Sequence, residues 1–485
     1  MKAALMKTDS RIPTFAIVGH PNEGKSSVVA TLAENDRVRI SPVPGETLVC
    51  EPFPVIIDGR EVIRFVDTPG FQNPRATFRW MNAHANYNDR IVQAFIDIHA
   101  DNPDMAQDCE LLTPIARGAG VIYVVDGSRP LRRVDQAEME ILRLTGAPRM
   151  AIINCKEDET EYLSEWKTAF RRHFNSIRVF NAHQATYAER ISLLESLKGI
   201  DQDWIAPLAT VIAAFKKDWA HRKALTAEII LTMLTDSVEF SITRNHTEKT
   251  DEDTLKKKLF DRYTRAVGKI ETAAHQRIRQ LYKHNIFDYD LPPQSIVRED
   301  LFNEKTWQVL GLTRKQLTTL AGITGGTIGA VIDIAAHGLT FGLFTLIGGA
   351  AGAGWAAFGG GRHLAETKVA GMNIGGHQIR VGPNENIQFL YILIDRALIF
   401  YAHIINWAHS RQDFPAAGPG GPLPEKSGYT SGWHLSEQRR CMAFLQAVRN
   451  GDAAKKEKAA RELRTLIRKA LENIYDDTNE DSVRI

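Results

Sequence analysis

The sequence has little of several features that mark other classes of protein. It contains four cysteines in 485 residues, without the spacing of a metal site or a disulfide framework, and this usage is typical of a reducing cytosol. The formal net charge is only +2, so overall charge indicates neither a nucleic-acid partner nor its absence. The first seven residues include two lysines and are too short and interrupted for a secretory signal. We therefore expect a cytoplasmic chain.

The chain changes its hydrophobic pattern partway along its length. In residues 1–185, short apolar runs alternate with amphipathic stretches, a pattern typical of an α/β fold with a mostly parallel sheet. Beyond this point apolar residues recur three or four positions apart, as on one face of a helix. The sequence thus predicts an α/β domain followed by a mainly α-helical domain. The expected strands are 15–18, 49–57, 62–66, 120–125, 150–153 and 177–180.

The strongest motif lies at residues 19–26, with the sequence GHPNEGKS. It follows a β-prone run and precedes a helix-like run, which is the setting of a phosphate-binding loop. Gly19 and Gly24 leave room for backbone N–H groups to face phosphate oxygens. Lys25 is expected to contact the β- and γ-phosphates, and Ser26 to ligate Mg²⁺. The loop therefore predicts a nucleotide site.

A second motif, DTPG, ends an apolar run at residues 67–70. Asp67 is suited to a carboxylate linked to Mg²⁺, and the Gly70 N–H to a contact with the γ-phosphate. The polar connection 71–118 that follows is long for a compact domain, and connections of this length are usually functional or mobile. We expect it to transmit nucleotide state.

These two motifs, together with PGET at residues 44–47, resemble those of the Era/TrmE-like P-loop GTPases in the translation-factor-related class. The resemblance covers about the first 185 residues. It implies a G-domain fold, binding of GTP and GDP with Mg²⁺, and GTP hydrolysis. The whole chain also resembles a bacterial family in which an Era-like GTPase domain precedes a long helical domain of unknown function.

The resemblance assigns roles to individual residues. Thr47 takes the role of the switch I hydroxyl that closes on Mg²⁺ and the γ-phosphate, although Glu46 stands where many relatives have a second threonine. Asn22 matches an asparagine associated with a K⁺ ion beside the phosphates. Asn22, Lys25, Thr47 and Gly70 are therefore the expected catalytic residues, and Ser26, Thr47 and Asp67 the expected Mg²⁺ ligands. The expected nucleotide contacts are Gly19, Pro21, Asn22, Glu23, Gly24, Lys25, Ser26, Ser27, Asp67, Gly70, Asn154, Glu157, Asn181 and Ala182.

Two positions depart from the family pattern. Phe71 stands where Ras-like GTPases keep a glutamine that orients the attacking water, and an aromatic ring cannot do this. We therefore expect slow hydrolysis until a partner, a cation or self-assembly completes the site. In the base-recognition segment 154–158, NCKED replaces the usual Asn-Lys-x-Asp; Asn154 fits, and the carboxylate is Glu157, or Asp158 if the chain bulges. Guanine is the expected base, with adenine an alternative.

The rest of the chain divides into three predicted regions. Residues 186–310 form long helices, with a coiled coil as one interpretation, and residues 311–365 form a glycine-rich apolar hairpin. Residues 366–485 return to helices, including a core helix at 389–408, with a Pro/Gly linker at 415–432. One long helix carries basic residues on its outer faces, either simply solvated or in contact with acidic lipid or RNA. These are Lys256, Lys257, Lys258, Arg262, Arg265 and Lys269.

The hairpin is the most unusual segment in composition. Residues 318–361 contain one formal charge, Asp333, and glycines recur four positions apart, as at Gly322 and Gly326. Such spacing lets helices pack closely in membranes, and the length fits two spans of ~20 residues. The alternative is a soluble, tightly packed hairpin, which accommodates Asp333 more readily.

Three functional hypotheses follow. The first is a GTP-hydrolysing switch at a bacterial inner membrane, acting on an unidentified protein partner and contacting lipid through 318–361. The second is a soluble Era-like RNA or ribosome-assembly GTPase, although no RNA-binding module is recognisable and nucleic acid is not the favoured partner. The third is a nucleotide-binding scaffold with little hydrolysis. Self-association into a homodimer stays open under all three.

Overall fold

The fold is described from a computed structural model of the chain. The described residues are 12–33, 48–57, 59–155, 161–180, 187–246, 251–282, 295–323, 344–347, 368–369, 372–373, 377–384, 386–405 and 428–483.

The first domain is built on a six-stranded sheet with the order β2-β3-β1-β4-β5-β6. Neighbouring strands are parallel except for the antiparallel pair β2 and β3. Strand β1 lies between β3 and β4, so the loop after it opens at the carboxyl edge of the sheet, where nucleotides bind in such folds. The strands are Thr14–Val18 (β1), Glu51–Ile57 (β2), Arg60–Asp67 (β3), Gly120–Asp126 (β4), Arg149–Asn154 (β5) and Ser176–Phe180 (β6).

Among the residues that the structure describes, α1 to α7 accompany this sheet. Two hydrophobic clusters lie on its opposite faces, one of them including α1 and α7 and the other α3 to α6. The long connection 71–118 folds into α2, α3 and α4, so it is helical structure and not an open loop. The helices are Lys25–Ala33 (α1), Pro74–Ala83 (α2), Ile91–His99 (α3), Ala106–Ala116 (α4), Arg133–Leu144 (α5), Leu163–Phe170 (α6) and Tyr187–Lys198 (α7).

The second region is largely helical, with short strands among the helices. Its helices are Ile205–Glu239 (α8), Glu252–Leu281 (α9), Glu304–Val309 (α10), Arg314–Ile323 (α11), Ile387–Ile405 (α12), Leu435–Asn450 (α13) and Ala453–Val483 (α14). Its strands are Ile242–His246 (β7), Phe344–Ile347 (β8), Lys368–Val369 (β9), Met372–Asn373 (β10) and His377–Val381 (β11), of which β7, β11 and β8 form an antiparallel sheet.

Helix α12 is the centre of the second core. All its aliphatic and aromatic side chains except Ala402 and Ile405 are buried, in agreement with the core helix predicted at 389–408. The apolar stripe of α9, which suggested a coiled coil, packs into the same core. By length and composition α12 is the one described helix that could cross a membrane, and 94% of that window is buried within the protein. A core helix has the same properties, so this is weak evidence for a span.

Helix α8 belongs to both hydrophobic cores. Leu208 and Phe215, in its first half, pack with the sheet, whereas Leu234, in its second half, packs in the helical core. Just before α8, the Trp204 ring packs edge-on against Phe15, with the ring centroids 4.6 Å apart. The core of the α/β domain therefore continues beyond the boundary predicted at residue 185.

Two predicted segments are only partly described. Most of the hairpin 318–361 lies outside the described residues, but Phe344–Ile347 is a strand paired with β11, whereas one of the two interpretations of this segment was a membrane-spanning helix. The aromatic and β-branched side chains of these four residues favour a strand. The predicted linker 415–432 lies partly outside the described residues; its end, Tyr429–Gly432, is a short 3₁₀ helix in which Thr430 is buried.

Candidate nucleotide-binding site

The loop between β1 and α1 has the backbone of a phosphate cradle. Gly19 and Gly24 have φ values of 155° and 89°, which residues with a Cβ rarely adopt. A Cβ on Gly19 would also collide with the Val124 carbonyl, and one on Gly24 with the Asn154 side chain. Glycine is thus required at both positions by conformation and by space. Helix α1 begins at Lys25, so its N-terminal N–H groups and the positive end of its dipole lie at the loop.

Two of the three expected Mg²⁺ ligands, Ser26 and Asp67, lie together at the start of α1. Ser26 Oγ donates a hydrogen bond to Asp67 Oδ2 at 2.8 Å, which joins the phosphate loop to the end of β3. A hydroxyl and a carboxylate are oxygen donors of the kind that Mg²⁺ prefers, and magnesium sites of this type share their ligands with substrate phosphates. The donor set therefore fits Mg²⁺ held jointly with a nucleotide.

Lys25 is buried beside these groups. Its Nζ donates a hydrogen bond to the His20 carbonyl at 3.2 Å. Burial lowers the pKa of Lys25, while the negative charges of Asp67, Glu138 and Glu23 act in the opposite direction. A phosphate oxygen at the loop would be a further anionic partner for this buried ammonium.

Gly70 and Asn22 border the same loop. A Cβ on Gly70 would come within 2.6 Å of Pro21 Cδ, so the DTPG turn packs directly on the phosphate loop. Asn22 is exposed and has a φ of 68°, a left-handed conformation that asparagine tolerates better than most residues. Its role in binding K⁺ stays a prediction.

The base-recognition residues are only partly described. Asn154 is fully buried, and its Nδ2 donates to the Glu23 carbonyl at 3.2 Å, which ties β5 to the phosphate loop. Glu157, Asn181 and Ala182 lie outside the described residues, as does Thr47 of the expected switch I. Their assignments stay predictions.

The Glu23 side chain binds other groups of the protein. The carboxylate is 3% exposed and accepts hydrogen bonds from the Asp126 N–H and from Arg129 Nε, the latter at 2.6 Å. Arg129 in turn forms a bidentate pair with buried Asp135, at 2.8 and 2.9 Å. Burial raises the pKa of Glu23 and the bonds to Arg129 and Asp126 oppose this rise. Only the backbone of Glu23 is therefore left for phosphate.

A second buried acid supports the phosphate loop. Glu138 on α5 is fully buried, accepts a hydrogen bond from Tyr123 Oη at 2.8 Å and lies 3.3 Å from His20 Nδ1. No local sequence signal predicts the contact of Glu138 with His20 or that of Glu23 with Arg129, because the partners are more than a hundred residues apart. Sequence reasoning missed both.

Phe71 lies in the hydrophobic core and is 4% exposed. The side chain that follows Gly70 therefore does not face the nucleotide-binding site. This explains the missing glutamine physically, because the chain turns inward at this point. Gln72, the next residue, is exposed.

A phosphate loop at a strand-to-helix turn, a carboxylate on the neighbouring strand and a mostly parallel sheet define the N-terminal part as a P-loop GTPase domain. Residues 14–155 match the family model described as a 50S ribosome-binding GTPase. Residues 167–473, which are more than half of the chain, match the family described as a domain of unknown function, DUF3482. The chain belongs to the DUF3482 family.

Curated relatives match the GTPase domain. GTPase Der of Thermotoga petrophila is 29% identical over 164 residues, which are 33% of this chain and 32% of the relative. Nuclear/nucleolar GTPase 2 of Oryza sativa subsp. indica is 38% identical over 72 residues, 14% of this chain and 13% of the relative. The chain spans about a third or less of these relatives.

Solved structures give weaker likenesses. A GTP-binding protein from Sulfolobus solfataricus in complex with GDP has a TM-score of 0.26 and 19% identity, covering 39% of this chain and 54% of that chain. Era in complex with MgGDPNP and nucleotides of 16S ribosomal RNA has a TM-score of 0.26 and 16% identity, covering 57% and 90%. Scores of this size support no inference about function. Der and Era proteins both occur among the matches, which do not single out the Era/TrmE-like subgroup.

Proposed function

We propose that the protein is a molecular switch that binds GTP with Mg²⁺ and hydrolyses it slowly. The observation that supports this best is the 2.8 Å hydrogen bond between Ser26 and Asp67, because it places two oxygen ligands for one cation at the N-terminus of α1. Lys25 lies beside them in a buried, acidic surrounding. No other part of the described chain combines a glycine loop, a lysine and such a ligand pair.

Each group has a distinct task in this proposal. The backbone N–H groups of residues 19–26 and the start of α1 bind the β-phosphate, and Lys25 binds the β- and γ-phosphates. Mg²⁺ neutralises charge that develops on the transferred phosphoryl group. Gly70 senses the γ-phosphate through its N–H, and Thr47 closes over it from switch I.

Slow turnover follows from the position of Phe71. Because its side chain is buried, the residue after Gly70 cannot orient an attacking water, as glutamine does in Ras-like GTPases. A K⁺ ion held by Asn22 would supply positive charge in place of an arginine finger. We therefore propose that K⁺, a partner or self-assembly raises the rate. The recognised base in this proposal is guanine, held by Asn154 and Glu157.

The test is hydrolysis of GTP and ATP by the full chain in potassium and in sodium buffer. We expect GTP to be preferred, potassium to accelerate turnover, and Lys25→Ala to lower the rate by at least about 100-fold. Asn22→Ala should abolish the difference between potassium and sodium and retain nucleotide binding. If no condition gives turnover that depends on Lys25, the hydrolytic switch is wrong and the scaffold hypothesis replaces it.

We further propose that the helical region associates with the inner membrane. The support, beyond the apolar segment 318–361, is an open groove of about 550 Å³ between β7 and α9. Phe240 and Ile242 line it together with Arg262, Arg265 and Lys269. Among the described residues no acidic side chain forms an ion pair with these three cations. Apolar walls beside basic side chains are complementary to anionic phospholipid.

Vesicle sedimentation tests the membrane proposal. We expect binding to vesicles that contain phosphatidylglycerol, weaker binding to phosphatidylcholine alone, and loss of the difference when Arg262, Arg265 and Lys269 are all changed to Glu. A matched control changes the exposed Lys458, Arg461 and Arg468 of α14 to Glu and should bind normally. If neither vesicle binds the wild-type chain, membrane association is wrong.

The competing candidate is a ribosome-assembly GTPase. The observation that favours it is the match of residues 14–155 to a family described as ribosome-binding. Sedimentation with ribosomal particles in the presence of a GTP analogue, and release with GDP, would support this candidate. Absence from the particles in both states would contradict it.

A further inference from the structure

Helix α4 contacts the chain on both sides of the expected γ-phosphate position. On one side lies Cys50, which follows Thr47 closely and directly precedes β2. The Cys50 N–H donates a hydrogen bond to Glu110 Oε1 at 2.8 Å, and Cys50 Sγ lies 3.2 Å from the Glu110 carbonyl. The exit of the switch I segment is therefore fixed to α4.

On the other side, α4 holds the chain just beyond Gly70. Asp108 Oδ1 accepts a hydrogen bond from the Gln72 N–H at 3.0 Å, and Oδ2 accepts one from the Asn73 N–H at 2.9 Å. The Thr77 hydroxyl donates to Oδ2 at 3.2 Å. Asp108 is thus a cap for the start of α2 that comes from another helix.

Burial makes the Asp108 carboxylate depend on its hydrogen-bond partners. Asp108 is 0% exposed, and a buried charge is costly unless hydrogen bonds replace its lost hydration. Three donors and the positive end of α2 supply that replacement. Burial raises the pKa of Asp108, and the bonds from Asn73, Gln72 and Thr77 oppose the rise. Breaking the contact would leave the carboxylate buried without partners.

Asp108 and Glu110 are neighbours on the same short helix, so their two contacts share one rigid support. Buried Phe71, between Gly70 and the bonds to Asp108, fixes the intervening chain in the same core. Neither segment can therefore move away from α4 without breaking these contacts. The chain after Thr47, at Cys50, and the chain after Gly70, at Gln72 and Asn73, are thus connected through α4.

We propose that Asp108 and Glu110 are positioning residues that make α4 a clamp, which holds residues 48–50 and the turn after Gly70 in the arrangement that binds the γ-phosphate. The inference rests on the proposed GTP switch and adds the element that couples its two halves. Neither residue touches nucleotide. The clamp should affect binding of the triphosphate and its hydrolysis, because GDP contacts the phosphate loop without needing the switches.

The test compares Asp108→Asn, Glu110→Ala and the double variant in the full chain. We measure the Kd of GDP, the Kd of a non-hydrolysable GTP analogue and the single-turnover rate of GTP hydrolysis. Each single variant should lose about tenfold in analogue affinity or turnover, with GDP affinity unchanged. The double variant should be no worse than the more damaged single variant, since both changes break one clamp.

Two matched controls separate positioning from folding. Asp104→Asn makes the same chemical change at an exposed site next to α4 and should behave as wild type. Glu110→Gln keeps an oxygen acceptor for the Cys50 N–H and should restore most of what Glu110→Ala loses. If Asp108→Asn does not fold, the comparison of Glu110→Ala with Glu110→Gln still decides, because Glu110 is only half-buried.

Equal losses for GDP and the analogue would mean a merely structural role and overturn the clamp, as would additive losses in the double variant. If the wild type hydrolyses GTP normally and the variants behave like it, the clamp is contradicted. The proposed GTP switch is then unaffected. A wild type that binds the analogue without hydrolysing it would contradict the proposed hydrolysis, while the affinity ratio of analogue to GDP would still test the clamp.

Discussion

Two aspartates in different regions of the protein are held in nearly the same way. Asp395, in the helical region, is 0% exposed and accepts bonds from the N–H groups of Gly311 and Thr430, both at 2.7 Å, and from the Thr430 hydroxyl at 2.9 Å. Asp108, in the GTPase domain, accepts two backbone bonds and one from a threonine hydroxyl. Asp108 holds segments beside a ligand cleft, whereas Asp395 holds segments within a core. Under our proposal, the same local chemistry supports function in one region and folding in the other.

Further buried charged side chains also divide into those beside the nucleotide site and those within the helical core. In the GTPase domain, Glu23, Lys25 and Glu138 lie under or within the phosphate loop. In the helical region, Arg396 binds both oxygens of Glu271, at 2.5 and 3.0 Å, and also donates to three backbone carbonyls. Changes in the first group should alter nucleotide chemistry, and changes in the second should alter stability. The following predictions test this division.

The largest expected effect on stability is from Arg396→Met. It leaves the Glu271 carboxylate buried without its partner, which should cost about 4 kcal/mol in the free energy of unfolding. Urea denaturation measures this loss. The affinity for GDP should stay normal at about 20 °C, which is well below typical unfolding temperatures. The double variant Arg396→Met with Glu271→Leu should recover part of the stability, because it removes the unpaired charge. A loss of GDP affinity equal to the loss of stability would contradict the division.

Phe71→Gln should have the next largest effect. Replacing a buried ring with a polar amide should cost about 3 kcal/mol in the free energy of unfolding, and hydrolysis should not accelerate, because the side chain at this position lies in the core. Thermal unfolding and turnover are measured on the same preparation. Faster hydrolysis with unchanged stability would show that residue 71 reaches the cleft.

The smallest of the three effects depends on pH. His275 stacks on Phe400 with ring centroids 4.0 Å apart, and burial lowers its pKa from 6.5 to about 4, with Glu271 raising it and Arg396 lowering it further. Between about pH 6.5 and 4, His275 is therefore protonated in the unfolded chain and neutral in the folded chain. Protonation favours the unfolded chain, so stability is lost as pH falls from about 6.5 towards 4. The loss is at most about 3 kcal/mol. His275→Phe should flatten this slope in urea denaturation; an unchanged slope would assign it to other groups.

The sequence predicts those parts of the protein that depend on local patterns. Apolar runs and glycines located the strands of the sheet and the loop at residues 19–26, because strand formation and tight turns are governed by nearby residues. The motif spacing also predicts that Ser26 and Asp67 belong to one site, and the two side chains form a hydrogen bond. The apolar helix around α12 was predicted as core for the same reason.

Long-range contacts could not be predicted in this way. The partners of Asp108 and Glu110 are distant in sequence, and nothing in their spacing distinguishes a buried cap from an exposed acid on a helix. The sequence places Phe71 directly after Gly70 but does not show that its side chain packs into the core. The sequence places Glu23 among the expected nucleotide contacts but does not show that Arg129 binds its carboxylate. Tertiary packing decided all four.

Amide hydrogen exchange of the full chain, with GDP and with a non-hydrolysable GTP analogue, tests the central claim most directly. We predict slower exchange with the analogue at residues 48–50 and 71–77, the two borders held by α4, and equal exchange in both states at α12 and residues 428–432. Equal exchange with both nucleotides at 48–50 and 71–77 would contradict a nucleotide-dependent switch.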